Sequence, residues 1–399
     1  MTAPPIPDHD PQAAALATLV KTFREWLHLP DLGAVYATLG TVAANWMRGD
    51  PVWLLLVGPP SSGKTELVCA LAKLPHVRFA ALLTEAALLS GTSTKERAKD
   101  AKGGLLREIG DFGILIMKDF TSTLAQNRDT RAQALSALRE IYDGHWSRPV
   151  GTEGGKVLHW GGKVGLVAGC TPAIDAHHAV LSELGDRFIF YRLPPTDAAK
   201  QGAAALDLDD DGQMRAELVA AVTDFFATVK PPDKPPKLKA GERDRMIALA
   251  TLGARCRSAV ERDGRTRELL FVPEAEPPAR LVKALWRLLE GSTAIGVDRA
   301  TAWQVVTKTA LDCMPSRRRT ALEALTTLTE PDTTDVAEQA SQPTPTIRLA
   351  LEDLTAHQLA ERLPQGRGRA DRWRLTEQTD TWLEAGGVYE MYRRDGETP

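Results

Sequence analysis

The sequence predicts an α/β protein: a parallel sheet with helices on both faces, then a helical region and a small C-terminal module. Three observations carry this. VWLLLVG, Val52 to Gly58, is a short unbroken apolar run without alternation, the pattern of a strand buried on both faces. Comparable runs recur between helical stretches up to about Leu193, with candidate strands at Val77–Leu83, Gly113–Lys118, Lys163–Gly169 and Arg187–Arg192. Such alternation implies a parallel sheet covered by crossover helices. Finally, 399 residues with 43% hydrophobic content suffice for one large core and a second module.

Taken in order, residues 1–31 form an N-terminal segment and linker helix. The start, MTAPPIPDHDP, is proline-rich and acidic, and Gln12 to Leu29 is amphipathic. Residues 32–198 form the α/β core, opened by a small-residue helix from Leu32 to Met47 that Arg48-Gly49-Asp50-Pro51 closes. Residues 199–241 read as a connector. It holds an acidic turn, Asp207 to Gly212, and KPPDKPPK, Lys230 to Lys237, a stiff linker because proline does not sit in a helix interior. Residues 242–328 are helical over Asp244–Asp263, Ala279–Ala294 and Ala300–Cys313, and 329–399 form the last module.

Composition narrows the function. Lys+Arg 49 against Asp+Glu 52 gives −3, so binding to a polyanion has to rest on a local patch. Cys69, Cys170, Cys256 and Cys313 are scattered without metal-ligand spacing, as expected of reduced thiols. His177 and His178 also lack a carboxylate or cysteine at ligand spacing. There is no signal-peptide pattern, and no apolar run approaches the ~20 residues of a membrane helix. A cytoplasmic protein without membrane contact is expected.

Directly after the first strand comes GPPSSGKTEL. Gly58, Gly63, Lys64 and Thr65 complete G-x-x-x-x-G-K-T, with Pro59, Pro60, Ser61 and Ser62 inside the loop and Glu66 opening a helix. Small residues let backbone N–H groups turn inward onto phosphate oxygens, and the helix adds its positive N-terminal end. Lys64 neutralises outer phosphates and the Thr65 hydroxyl ligates magnesium. About 55 residues on, the buried run ILIMKD ends in Asp119, a second carboxylate for that metal. ATP and Mg2+ are the expected cofactors.

With these pieces placed, the chain resembles AAA+ P-loop ATPases of the helicase-like type found in phages and mobile elements, and is distantly similar to minichromosome-maintenance and superfamily 3 helicases. The resemblance runs from about Leu32 to Pro315. It implies that KVGLVAGCTP is a sensor strand ending in Thr171, that ELGDRFIFYRLP carries an arginine finger at Arg187, with Arg192 as the competing position, and that PPARLVKALWRLLEG is a lid helix beginning with a sensor arginine, Arg280. A guanidinium supplied by a neighbouring subunit would make hydrolysis depend on a homo-oligomeric ring. RPVGTEGGKVLHWGGKVG resembles a hairpin inserted before the sensor strand, with Lys156 near its tip and positioned for nucleic-acid phosphate.

One departure from the pattern matters. The family places a glutamate after the metal-binding aspartate to polarise the attacking water, and here Phe120 stands there. Two carboxylates offer a rescue: Glu85, at the end of RFAALLTE, and Asp143, in LREIYDGHW. The remaining parts favour turnover; a nucleotide-gated scaffold or helicase loader with little or no hydrolysis is the alternative.

The last module reads as a winged helix. TTDVAEQA and TIRLALEDLTAHQLA are helices, and LAERLP and RWRLTE are short strands around QGRGR. From Arg362 to Arg374 there are five arginines and one aspartate. Thr344, Thr346 and Arg348 would face a DNA groove and Arg367 and Arg369 its phosphates, unless the module contacts a protein partner. Arg317, Arg318 and Arg319 either add to this positive surface or pack as an internal cluster.

Overall fold

The computed structural model describes residues 11–91, 103–151, 155–177, 187–195, 197–206 and 210–396. Glu153, Gly154, His178, Asp186 and Asp207 from the readings above lie outside them. The chain divides into two compact units, 1–172 with 191–236 and 287–305, and 173–190 with 237–286 and 306–399.

The first unit begins with α1 (Pro11–Trp26) and α2 (Gly33–Trp46). Then follow β1 (Trp53–Val57), α3 (Lys64–Cys69), β2 (Val77–Phe79), α4 (Glu85–Leu88), α5 (Leu105–Ile109), β3 (Phe112–Met117), α6 (Thr121–Leu124) and α7 (Arg128–Tyr142). An antiparallel hairpin, β4 (His145–Val150) and β5 (Lys156–Gly161), precedes β6 (Lys163–Cys170). β7 (Phe188–Arg192) completes a five-stranded parallel sheet of order β2-β3-β6-β1-β7. The registers put Trp53 opposite Leu166, and Phe112 opposite Lys163. Every residue of β1 is buried, as its unbroken apolar run requires.

β2 is shorter than the expected Val77–Leu83. The last ladder bond beyond it runs from Ala80 N to Ile116 O, 3.0 Å. Thr84 then caps α4, its Oγ1 accepting from Ala87 N at 3.1 Å. The expected connector holds two helices, α8 (Ala198–Leu206) and α9 (Asp211–Thr228), ahead of its proline-rich stretch. Asp210, from the acidic turn, caps α9 by accepting from Gly212 N and Gln213 N at 2.7 and 3.0 Å. α9 packs on α1, where Trp26 Nε1 donates to Glu217 Oε2 at 2.8 Å.

The C-terminal end of α2 is capped by two basic side chains. Lys163 Nζ donates to Asn45 O and Met47 O (2.8 and 2.5 Å), and Arg287 Nη2 to Ala44 O and Met47 O (2.7 and 3.0 Å). Burial, then the Arg287 charge, pulls the Lys163 pKa down to about 7. Its unfolded value is about 10.5, so the cost of the buried charge is present in full below pH 7 and fades as pH rises towards 10.5. Wild-type stability should therefore gain up to about 1.4 kcal/mol per pH unit over this window relative to Lys163→Met. Urea midpoints at pH 7, 8 and 9 check this; parallel pH profiles for the two proteins would refute it.

The second unit contains α10 (Ala240–Arg257), a β8–β9 hairpin (Glu261–Arg262 with Leu269–Phe271), the N-terminal part of α11 (Ala279–Ala294) and the C-terminal part of α12 (Arg299–Asp312). α13 (Ser316–Thr327), α14 (Thr333–Gln339), α15 (Thr344–Ala356), β10 (Ala360–Leu363), β11 (Arg372–Leu375), α16 (Glu377–Ala385) and α17 (Val388–Gly396) follow. The helix expected over Asp244–Asp263 stops at Arg257. Arg318 Nη1 takes the carbonyls of Cys256 and Ser258 there (2.8 and 2.5 Å), ending the helix before the hairpin. β10 and β11 pair antiparallel, and Asp332 bridges Arg372 beside them. α16 lies on α10, with Arg245 Nε donating to Gly386 O at 3.1 Å.

Candidate nucleotide site and basic C-terminal face

The carboxyl ends of β1, β6 and β3 lie side by side, and the phosphate-loop residues leave the first of them. Gly58 N donates to Cys170 O at 3.1 Å, and Phe120 N to Gly169 O at 2.7 Å. The loop and Asp119 thus flank the end of β6, at the edge where ligands of open α/β sheets bind. Gly169 allows this close approach: a Cβ there would stand 2.6 Å from Lys118 O. Gly63, at φ 81°, turns the chain into α3.

Lys64 is buried. Its Nζ donates to Gly58 O, Pro59 O and Ser62 Oγ at 2.7, 2.5 and 3.1 Å. Burial lowers its pKa from 10.5, while the charge of Asp119 acts in the opposite sense, so the two groups feel each other across the site. Thr65 is exposed on the first turn of α3. Asp119 is also exposed and accepts from Thr121 N at 2.9 Å. The Thr121 hydroxyl donates to Thr171 Oγ1 at 3.2 Å and accepts from Thr171 N at 2.9 Å, fixing the end of the expected sensor strand. Burial pushes the neighbouring Cys170 thiol up to about 11, which keeps it neutral.

These residues fit a magnesium–triphosphate. Among the described residues no three His, Cys, Asp or Glu converge. A metal at Thr65 and Asp119 would therefore complete its shell with phosphate oxygens and water, as magnesium prefers.

The expected bases fare differently. Phe120 is fully buried, so the position where the resembled ATPases carry a glutamate belongs to the core here. Asp143 lies at the opposite edge of the sheet: it precedes Gly144, whose carbonyl accepts from Gly162 N (3.0 Å) just ahead of β6. That is a strand length from Thr171, about 25 Å at ~3.3 Å per residue, and it removes Asp143 as a base. Glu85 does not end a strand; it opens α4, with Oε2 3.7 Å from Arg148 Nε on β4. Arg148 also donates to Leu89 O.

The remaining sequence candidates are placed as follows. Glu66 is bound in a two-pronged ion pair by Arg215. Arg187 is buried immediately before β7, and Arg192 ends that strand half-buried. Arg280 sits on α11 with Nη1 3.5 Å from Glu276 Oε1. Lys156 is exposed opposite Val150, where the hairpin reaches its turn. Arg215 escaped the sequence reading, since nothing local marks a partner 149 residues from Glu66.

In the second unit, Arg318 donates to Asp353 (3.0 Å), and Arg319 pairs with Asp312 and Glu323. Both therefore pack internally, and only Arg317 of that run is exposed. The outward side of α15 carries Thr344 and Arg348, with Ile347, Ala350, Leu351 and Leu354 turned inward and Thr346 between. Its acids are occupied: Arg262 holds Glu352 and Asp353 (3.0 and 2.6 Å), and Arg348 Nε donates to Glu352 at 3.0 Å. Arg362 and Arg374 pair with Asp371 and Glu361. Arg367 and Arg369, between β10 and β11, are exposed and have no ion pair among the described residues.

The chain matches no protein-family model and no curated protein. The solved structures that align with it include two of low similarity. The A form apo structure of the NrS-1 C-terminal region matches at 12% identity and a TM-score of 0.31, covering 94% of this chain and 78% of that one. The A form apo structure of NrS-1 residues 305–718 matches at 11% identity and 0.29, covering 91% and 75%. Neither value carries an argument about fold or function. Among the described residues no helix is long and apolar enough to cross a membrane.

Proposed function

We propose that the chain is an AAA+-type ATPase that binds and hydrolyses Mg-ATP and works on DNA as a ring-shaped homo-oligomer, in replication or maintenance of a phage or mobile element. The carrying observation is the meeting of the Lys64 loop, Asp119 and Thr171 at one carboxyl edge of the sheet, with β6 between the other two strands. Gly58 to Thr65 hold the phosphates, and Thr65 and Asp119 hold the metal, which when bound neutralises charge on the transferred group. Thr171, tied to Thr121, orients the attacking water. Arg187 enters from the neighbouring subunit.

Hydrolysis is slow in this reading. Phe120 is withdrawn into the core, and Glu85, the remaining base, is engaged by the Arg148 guanidinium, 3.7 Å away. The same observation favours the second reading, a nucleotide-gated scaffold or loader. ATP turnover with and without single-stranded and duplex DNA separates them. DNA stimulation abolished by Lys64→Ala supports the motor; tight Mg-ATP binding without turnover in any assembly supports the scaffold. Mass measured with a non-hydrolysable analogue tests the ring.

The last module is proposed to be a winged helix that lays α15 in a DNA groove and Arg367 and Arg369 on phosphates; Lys156 of the hairpin is a separate proposed phosphate contact. Each phosphate contact contributes a slope of about 0.9 to the dependence of log K on log salt. Arg367→Gln with Arg369→Gln is expected to lower the slope for duplex DNA by about 1.8. An unchanged slope would take the wing out of the interface and leave the module as a protein-contact surface.

A further inference from the structure

The strongest feature outside the expected phosphate-loop residues is the grip of the connector helices on that loop. Arg215, on α9, donates Nε and Nη2 to the two oxygens of Glu66 at 3.0 and 2.9 Å. Glu66 directly follows Thr65 in the first turn of α3. Its side chain is only 16% exposed, while Arg215 remains half-exposed. α9 is itself tied to α1, because Glu217 accepts from Trp26 Nε1 at 2.8 Å. On the other arm of the loop, α8 contributes Gln201, whose Nε2 donates to the carbonyl of Ser61. Ser61 holds a left-handed φ of 63° at that point.

An acid at this position poses an electrostatic problem. The first turn of a helix attracts anions through its free N–H groups and its dipole. A carboxylate in that turn stabilises an empty helix, but it repels a triphosphate seated on the neighbouring amides. Poorly solvated like charges at close range repel strongly. A lone Glu66 would offset much of what Lys64 contributes. The guanidinium fork removes that repulsion, since it matches both carboxylate oxygens and stays charged.

We propose that Arg215 is a positioning residue of the nucleotide site: by pairing with Glu66 it cancels a charge hostile to phosphate and makes the connector helices part of the binding site. The proposal rests on the nucleotide reading above. It assigns Arg215 no chemistry at the reacting atoms, and it gives Glu66 no direct contact with nucleotide.

A charge cycle on the full-length chain tests it, with Mg-ATP and Mg-ADP affinities measured by calorimetry. Arg215→Gln is expected to weaken Mg-ATP about tenfold and Mg-ADP less, because repulsion grows with phosphate charge. Glu66→Gln should bind Mg-ATP at least as well as wild type, and the double variant should return to within about threefold of it. Arg215→Lys, which keeps the charge without the fork, should retain most of the affinity even if Arg215→Gln folds poorly. Equal losses in Arg215→Gln and Glu66→Gln, with no recovery in the double variant, would mean a merely structural clamp and overturn the proposal. So would Arg215→Gln binding as wild type does. A wild-type chain giving no heat with Mg-ATP would overturn the nucleotide reading and this proposal with it.

Discussion

Lys64→Met is expected to abolish measurable Mg-ATP binding, a loss of at least about a hundredfold, while leaving the protein folded. The ammonium is the one cation of the loop motif, and it is buried against the carbonyls it would leave for a phosphate. In a desolvated site one full charge on a triphosphate is worth several kcal/mol, and each ~1.4 kcal/mol is tenfold in affinity. The fold should survive for two reasons. Methionine keeps most of the buried stem, and the desolvation that depresses the Lys64 pKa disappears with the charge. The loop is also fixed independently of Lys64, by Gly58 N on Cys170 O and by the turn at Gly63. A urea midpoint within about 1 kcal/mol of wild type, beside a flat calorimetric titration, is the expected pair of results. Undiminished binding by Lys64→Met would remove the phosphate loop from the site. Because burial lowers the Lys64 pKa, wild-type affinity should also start to fall, as pH rises, before an ordinary lysine would deprotonate.

The parts of this site that were readable in advance are those whose cause is local. An unbroken apolar run followed by glycine, lysine and threonine at fixed offsets can form little but a strand, an anion-cradling loop and a helix, and β1 and α3 follow that reading. The hairpin before β6 was legible for the same reason, since Glu153-Gly154-Gly155 separates two strand-forming stretches. What failed depends on topology. Asp143 closes a promising segment, but which edge of the sheet a residue reaches depends on the direction of the strand beside it. Asp143 proves to sit at the amino end of β6. Phe120 was noticed as a missing acid, yet only packing shows that its ring belongs to the core. The helices inside the connector are hard to read because its punctuation is louder than its content. KPPDKPPK is the break it reads as, outside helix and strand and ending at the boundary of the first unit, whereas Asp210 of the acidic turn is the cap of α9, and that helix packs on α1. The β8–β9 hairpin had its own signal, Asp263-Gly264, which the preceding helical periodicity obscured.

The largest effect on stability is expected from adding a single methyl group at Gly291. α2 and the C-terminal part of α11 approach so closely there that a Cβ on Gly291 would stand 2.1 Å from Gly40 O and 2.9 Å from both Ala44 N and Ala44 Cβ. Two of these three atoms are backbone, so no rotamer change relieves the clash and the helices have to separate. From the other side, a Cβ on Gly40 would stand 2.6 Å from Ser292 Oγ. Overpacking of this kind costs about 1–3 kcal/mol, and Gly291→Ala should fall at or above the upper end. The damage should reach the nucleotide site. Asn45 near the end of α2 exchanges hydrogen bonds with Val52 (2.9 Å each), the residue that leads into β1, and a Cβ on Gly165 of β6 would collide with that same asparagine. Moving α2 therefore moves the two strands whose ends hold the phosphate loop and Thr171. Gly241→Ala is the matched control: it adds the same atom to a helix where nothing lies within 4 Å. Alanine is favoured over glycine in helices by about 0.5–1 kcal/mol, so this variant should be neutral or stabilised. Urea unfolding of the pair, with Mg-ATP affinity on the same samples, decides the matter. Equal stabilities would mean that the α2–α11 crossing is looser than its geometry states, and a destabilised Gly291→Ala with wild-type affinity would uncouple the crossing from the loop.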